Sequence, residues 1–316
     1  MNKEIDLKDK FLGSIIGCAI GDAIGEQAFL HTTKEELCYV IEKSEQLYYT
    51  DDTAMTIAII KSILEIGDIE EKHLGDKFSI EFYIEPWRGY APGPPTVFDM
   101  VRKKGISYSK AASMLFDGQG SFGNGAAMRV APIGIFYHDL PPEVLYEKAR
   151  LSALVTHSHP VGIDGAAVQA MAIAMAIKMH PEDYFFREDF IEYLIQFSRT
   201  NQIRDKMKIV KDLIEQDLSP KMAIIKLGRS VAVHESMPFS VYSFLKHYDS
   251  FEECLFCAVL HGGDRDTLGA MACSISGAYL GIRNIPEKWI KKLENFSYIN
   301  DLCLELYEKY INNRRF

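Results

Sequence analysis

Phe11-Leu12-Gly13-Ser14-Ile15-Ile16-Gly17-Cys18-Ala19-Ile20-Gly21-Asp22-Ala23-Ile24-Gly25 sets four glycines four residues apart, with Leu12, Ile15, Ile16, Ile20 and Ile24 between them. That spacing lines the glycines along one face of a helix. Each lowers intrinsic helicity by about 1 kcal/mol relative to alanine, so four in register point to very close packing against another element. Asp22, Glu26 and the shortness of the run exclude a membrane version of this face. The stretch reads as a buried central helix that ends in a polar loop over 26–31. A second run of small residues, Leu268-Gly269-Ala270-Met271-Ala272-Cys273-Ser274-Ile275-Ser276-Gly277-Ala278, is the candidate to pack closely against it.

Helical patterning continues outward from this stretch. Residues 34–45 are amphipathic, and 53–66 are strongly apolar with Gly67 as a stop. The glycines and prolines over 83–95 mark a shaped loop. Residues 96–104, 109–116, 141–152, 164–179, 183–196, 206–217, 220–227, 241–248 and 251–260 read as helices, with a charged terminal helix from 291 onward. Period-two alternation is almost absent, and neither a repeat nor a low-complexity linker divides the chain. The expected fold is all-α: a single compact domain over 1–316, of about ten helices, with functional loops on one side.

A chain of 316 residues with 47% apolar, 25% charged and 11% aromatic content has ample material for a core. The formal charge of −9 argues against a nucleic-acid surface, though not against a small anion held locally. The start, Met1-Asn2-Lys3-Glu4-Ile5-Asp6, is polar and lacks a secretory core. The most apolar run, 165–179, contains Gln169 and Lys178 and is too short for a membrane span. Six scattered cysteines do not make a disulfide framework, and Cys254-x-x-Cys257, without a second pair, reads as a packed helix face. Cytoplasm is the default location.

Chemistry is concentrated in two acidic clusters. Tyr49-Thr50-Asp51-Asp52-Thr53 precedes an apolar helix, and either Thr50 or Asp51 suits its N-cap. His261-Gly262-Gly263-Asp264-Arg265-Asp266-Thr267 precedes the second small-residue helix. If these two helix starts are neighbours, four carboxylates converge, which is costly without cations. All-oxygen ligation by Asp and Thr suits two Mg²⁺ ions, or Mn²⁺, and disfavours zinc. A glycine-rich loop, Asp117-Gly118-Gln119-Gly120-Ser121-Phe122-Gly123-Asn124-Gly125, leads into another helix and offers N–H groups suited to phosphate. It follows no strand, so it is not a dinucleotide fingerprint. In Thr156-His157-Ser158-His159-Pro160, His157 is either a substrate-site residue or half of a structural pair.

Three segments taken together resemble the ADP-ribosylglycohydrolases, most nearly the serine ADP-ribosylhydrolase branch. They are Leu47 to Met55, Gly120 to Arg129 and Gly262 to Thr267, in that family's order, within a likeness running from about Phe11 to Trp289. The resemblance implies an all-helical fold, a two-Mg²⁺ centre, and cleavage at the anomeric carbon of ADP-ribose carried on a protein or another conjugate. It implies Thr50, Asp51, Asp52, Asp264, Asp266 and Thr267 as metal ligands, with the base among Asp51, Asp52 and Asp264. Gly93, Gly120, Ser121, Gly123 and Asn124 would hold substrate, Phe116 and Phe122 would meet adenine, and His157 would line the cleft. Two positions depart from the family. Arg265 stands where threonine is usual, and would either bind the diphosphate or point outward. Phe29 stands where related enzymes carry a glutamate, the nearest acid being Glu26. The alternatives to a serine-specific hydrolase are an arginine-specific one, an ADP-ribose-binding module without hydrolysis, and a structural protein that keeps the fold.

Overall fold

Asp6 opens the first helix, α1 (Leu7–Ala28), by accepting a hydrogen bond from Asp9 N at 2.7 Å. The computed structural model describes residues 6–314, so the polar residues 1–5 and the last two residues of the expected terminal helix lie outside it. Nearly every residue of α1 from Asp9 to Gly25 is buried, as expected of a helix that is apolar all round. The helix runs three residues past the expected end at Gly25. No proline or turn intervenes, and Phe29 N closes on Glu26 O at 3.3 Å.

Next come α2 (Lys34–Lys43), α3 (Asp51–Ile66), α4 (Glu71–Ile84), α5 (Gly93–Lys104), α6 (Tyr108–Ser113) and α7 (Leu115–Gly118). The middle of the chain forms α8 (Gly125–Met128), α9 (Ala131–Phe136), α10 (Pro142–Leu154), α11 (Pro160–Ala176), α12 (Arg187–Phe197) and α13 (Asn201–Glu215). The last part forms α14 (Pro220–Leu227), α15 (Val233–Lys246), α16 (Phe251–Val259), α17 (Arg265–Leu280), α18 (Glu287–Ile290) and α19 (Phe296–Asn313). The fold is all-α, with nineteen α-helices among the described residues against the ten expected. The excess consists largely of one- and two-turn pieces inside segments read as loops. α15 also begins eight residues early and runs through Pro238, its whole length held in the core.

α1 and α17 lie antiparallel with their backbones in contact. A Cβ at Gly13 would overlap the carbonyl oxygen of Gly277, and one at Gly21 that of Gly269. At Gly17 it would fall 2.5 Å from Cys273 O, and at Gly25 2.5 Å from Arg265 O. As one residue number climbs by four its counterpart falls by four, so the glycine ladder of the first helix is matched against the small residues of the other. α11 and α15 wrap the same pair: Gln169 Nε2 donates to Met271 O (2.9 Å) and Ser240 Oγ to Leu268 O (3.2 Å). Cys254 and Cys257 are buried on α16, and burial pushes both thiols up, as befits a packed face. No helix among the described residues is long and apolar enough to cross a membrane.

Candidate active site

The pairing of α1 with α17 has a functional consequence at one end. The C-terminal half of α1 lies beside the N-terminus of α17, so Asp22 comes near Asp266 and Thr267. α3 docks onto the same place through Asp22, which is fully buried. The Asp22 carboxylate accepts from Thr50 N (3.0 Å), Thr50 Oγ1 (2.8 Å), Thr53 N (3.0 Å) and Thr53 Oγ1 (2.5 Å). Thr50 does hold the N-cap position of α3, but its side chain caps nothing. The expectation of a self-capped helix is corrected: a carboxylate from α1 takes that role because it reaches both free N–H groups. Asp51 and Asp52 become the first two residues of α3, with no capping duty of their own.

The two acidic clusters meet here. Thr267 Oγ1 donates to Asp52 Oδ2 at 3.3 Å, and Thr50 Oγ1 lies 3.5 Å from the same oxygen. Burial, then Asp22 and Asp264, push the Asp51 carboxyl up to about 7. Burial, then Asp264, Asp22 and Asp51, push Asp266 up to about 8. Burial and all four neighbouring acids hold Asp52 well above the usual carboxylate range. Only charges close to one another act this way, so the six expected metal ligands are brought together.

The donors fit a hard cation. Asp52 Oδ1 is buried without any hydrogen-bond partner, and an unpaired buried carboxylate oxygen is strongly unfavourable unless a positive charge meets it. All six groups offer oxygen, which suits Mg²⁺ or Mn²⁺. Among the described residues, no three His, Cys, Asp or Glu side chains are gathered as a ready ligand set for one ion.

The glycine-rich loop runs alongside. Phe116 and Asp117 both adopt left-handed backbone, with φ of 50° and 55°, a strain that persists only where the surroundings impose it. Gly120 has φ of 74°, and a Cβ there would overlap Ser158 Oγ. Ser121 Oγ accepts from Gly123 N at 3.1 Å. Asn124 N donates to Val231 O (2.8 Å) and Val233 N to Phe122 O (3.0 Å), pinning the loop to 231–233. Asn124 Nδ2 then reaches Asp264 Oδ2 at 2.6 Å, joining the loop to the acids. The helix this loop enters, α8, is a single turn, and the N–H groups of Gly120, Gly123 and Asn124 are already taken by Leu115 O, Ser121 Oγ and Val231 O, so the expected cradle of N–H groups for phosphate is not formed by these three. Phe116 and Phe122 are exposed on the loop, the latter edge-on to His159 at 5.3 Å. His157 is buried beneath Gly123 and Gly125. Gly93, at the start of α5, borders Leu115 and not the acid cluster.

The two departures from the family also find places. Arg265 Nη1 donates to Val259 O at 2.5 Å, tying down the end of α16. Phe29 follows the end of α1 and is exposed, as is Glu26. Three residues escaped sequence reasoning. Asp22 is one; its only signal is an acid inside a glycine ladder. Arg88 donates to Tyr49 O (3.0 Å), lies 4.0 Å over the Tyr49 ring and pairs with Glu85 and Glu294, fixing the segment before Thr50. Arg129 is a fully buried guanidinium whose charge counters Asp51 in part.

Known proteins share this arrangement of chain. ADP-ribosylhydrolase ARH3 of Mus musculus is 30% identical over 342 residues, covering 95% of this chain and 92% of that protein. ARH3 of Xenopus tropicalis is 33% identical over 340 residues, covering 95% of each. A solved structure of an ADP-ribosylglycohydrolase-related protein complex has the same fold, with a TM-score of 0.73 at 23% identity, covering 96% of this chain and 99% of that one. The model of the ADP-ribosylglycohydrolase family matches residues 3–315, and the chain belongs to that family of hydrolases.

Proposed function

We propose that this enzyme hydrolyses the bond at the ribose C1″ of ADP-ribose in ADP-ribosylated protein, with serine the favoured linkage, and that the reaction requires Mg²⁺. The observation carrying this is the convergence of Asp51, Asp52, Asp264 and Asp266 with Thr50 and Thr267, joined to the glycine-rich loop through Asn124 Nδ2, with one buried carboxylate oxygen, Asp52 Oδ1, unpartnered. Those six residues would hold two Mg²⁺ ions, or Mn²⁺ in their place. When bound, the ions supply positive charge that orients the ribose 2″ and 3″ hydroxyls and favours ionised water.

The chain's own groups do the rest. The side chains of Ser121 and Asn124 bind the diphosphate and ribose, Gly120 and Gly123 let the substrate approach the backbone closely, and Phe116 and Phe122 offer their rings to adenine. Anchoring the ADP portion places C1″ over the acids, and pre-formed geometry of this kind lowers the barrier. Water adds to C1″ as the bond to the serine oxygen breaks through an oxocarbenium-like transition state. One carboxylate of Asp51, Asp52 and Asp264 takes the water proton and passes it to the serine oxygen, which leaves as the free hydroxyl. Arg265 is engaged at Val259 O, so its departure from the family pattern leaves the acid cluster as it is.

Asp266→Ala tests the reading. Calorimetric Mg²⁺ binding and release of ADP-ribose are expected to disappear together. Full turnover in that variant would refute it, and tight ADP-ribose binding without release by the unaltered protein would make it a binding module.

A further inference from the structure

Behind the glycine-rich loop lies a hydrogen-bonded chain that the reading above does not use. Arg129 is fully buried, its guanidinium 4.3 Å over the Phe78 ring. Its Nη2 donates to Ser152 O at 3.1 Å and to Thr156 Oγ1 at 2.8 Å. The Thr156 hydroxyl lies 2.7 Å from His157 Nδ1.

The direction of each bond follows from the donor inventory. Arginine has only hydrogens to give, so Thr156 Oγ1 accepts from it. The hydroxyl's own hydrogen then needs an acceptor, because a buried donor left unpaired is costly. Among the described residues the one acceptor bonded to it is Nδ1. Nδ1 therefore carries no proton. Burial and the Arg129 charge hold the imidazole down to about 3, so the ring is neutral and its single proton sits on Nε2. Among the described residues, Nε2 has no hydrogen-bond partner. It lies 3.5 Å and 3.2 Å from the positions that a Cβ would take at Gly123 and Gly125, directly under the loop.

We propose that Arg129 and Thr156 are positioning residues that lock His157 as its Nε2–H tautomer, so that the ring presents a donor, and no acceptor, to a ligand lying along 120–125. The ligand atom it selects is an acceptor oxygen, such as a phosphate or hydroxyl oxygen; an ammonium or amide donor at that point meets a repelling N–H. Identifying the ligand as ADP-ribose rests on the function proposed above; the tautomer does not. His157 is accordingly no general base, since its one basic nitrogen, Nδ1, is occupied by the Thr156 hydroxyl and the ring takes up no second proton near neutral pH.

The test has two arms on the full-length protein. Long-range ¹H–¹⁵N NMR of histidine-labelled protein without ligand is expected to show His157 with unprotonated Nδ1 and protonated Nε2, unchanged between about pH 5 and 8. The Nδ1–H form, or a mixture, overturns the proposal whatever the protein hydrolyses. In the second arm, Thr156→Val is expected to raise KM for an ADP-ribosylated peptide about tenfold, the worth of one hydrogen bond, with kcat within about twofold. Thr156→Ser is expected to restore KM. An unchanged KM in a folded Thr156→Val, or no rescue by serine, overturns the role; if Thr156→Val does not fold, the NMR arm on the unaltered protein decides. If the protein cleaves no ADP-ribosyl substrate while the tautomer is as stated, the function fails and the tautomer stands.

Discussion

Asp22 and His157 show how single side chains set the terms for the site. Asp22 accepts from both ends of the first turn of α3, and nothing nearby can replace it. Asp22→Ala leaves buried Thr50 and Thr53 N–H groups unpaired, at about 1–3 kcal/mol each, partly offset by removing a charge that repels Asp51 and Asp52. A net loss of about 2 kcal/mol in denaturant unfolding is expected, together with loss of turnover, because the backbone carrying both acids is no longer held. His157 contributes to the acid side of the stability profile. Its folded pKa is depressed to about 3 by burial and by Arg129. Its stabilising contribution is therefore present above the ordinary histidine value and drains away as pH falls from about 6.5 towards the folded value. His157→Gln is expected to flatten unfolding free energy against pH between about 6.5 and 4 relative to the unaltered protein. Residue roles of this kind were poorly legible beforehand. The six residues proposed as cation ligands could be named from their motifs, but Asp22 acts across 28 residues, and no local pattern marks an aspartate as the cap of a distant helix. Arg265 was ambiguous for the same reason, its target being a carbonyl on the preceding helix.

At the scale of elements, the glycine ladder was legible because backbone contact between helices demands small residues at a fixed interval. It also fixes where the acids meet, since sliding α1 against α17 by one turn would move Asp22 away from Thr267. Gly21→Ala forces a Cβ into the Gly269 carbonyl, backbone that cannot swing aside. Overpacking of this kind typically costs about 1–3 kcal/mol, and activity is expected to fall further than stability because the helix starts separate. A second buried carboxylate gives a control. Asp164 on α11 accepts from Arg199 N, Thr200 N and Thr200 Oγ1 at the start of α13, the same device as Asp22 with no acid pair attached. Asp164→Ala is expected to lower the unfolding free energy by a similar amount, about 2 kcal/mol, while KM and kcat stay near those of the unaltered protein. Equal loss of activity in the two variants would mean that Asp22 acts only through general stability. Element boundaries were less legible than element pairing: α15 passes through Pro238, and tertiary burial holds together what local propensity would break.

For the whole molecule, the all-α class followed from the absence of period-two alternation, and the short helices were missed because four-residue turns carry no periodicity to read. The assembly brings the start of α3, the start of α17 and the glycine-rich loop together beside one end of a central helix pair, so that their carboxylates converge. Such a gathering of buried negative charge is unfavourable on its own, and a divalent ion that binds only the folded state adds stability by mass action. The unfolding temperature of chelator-treated protein is expected to rise on adding millimolar Mg²⁺, and this rise is expected to vanish in Asp266→Ala. The most direct measurement of the central claim is release of ADP-ribose by purified, metal-stripped protein from serine-, arginine- and acid-linked substrates, with and without Mg²⁺. Release from the serine-linked substrate only when Mg²⁺ is present is the predicted result. Equal release without any divalent cation, or none from all three substrates with Mg²⁺ present, would contradict it.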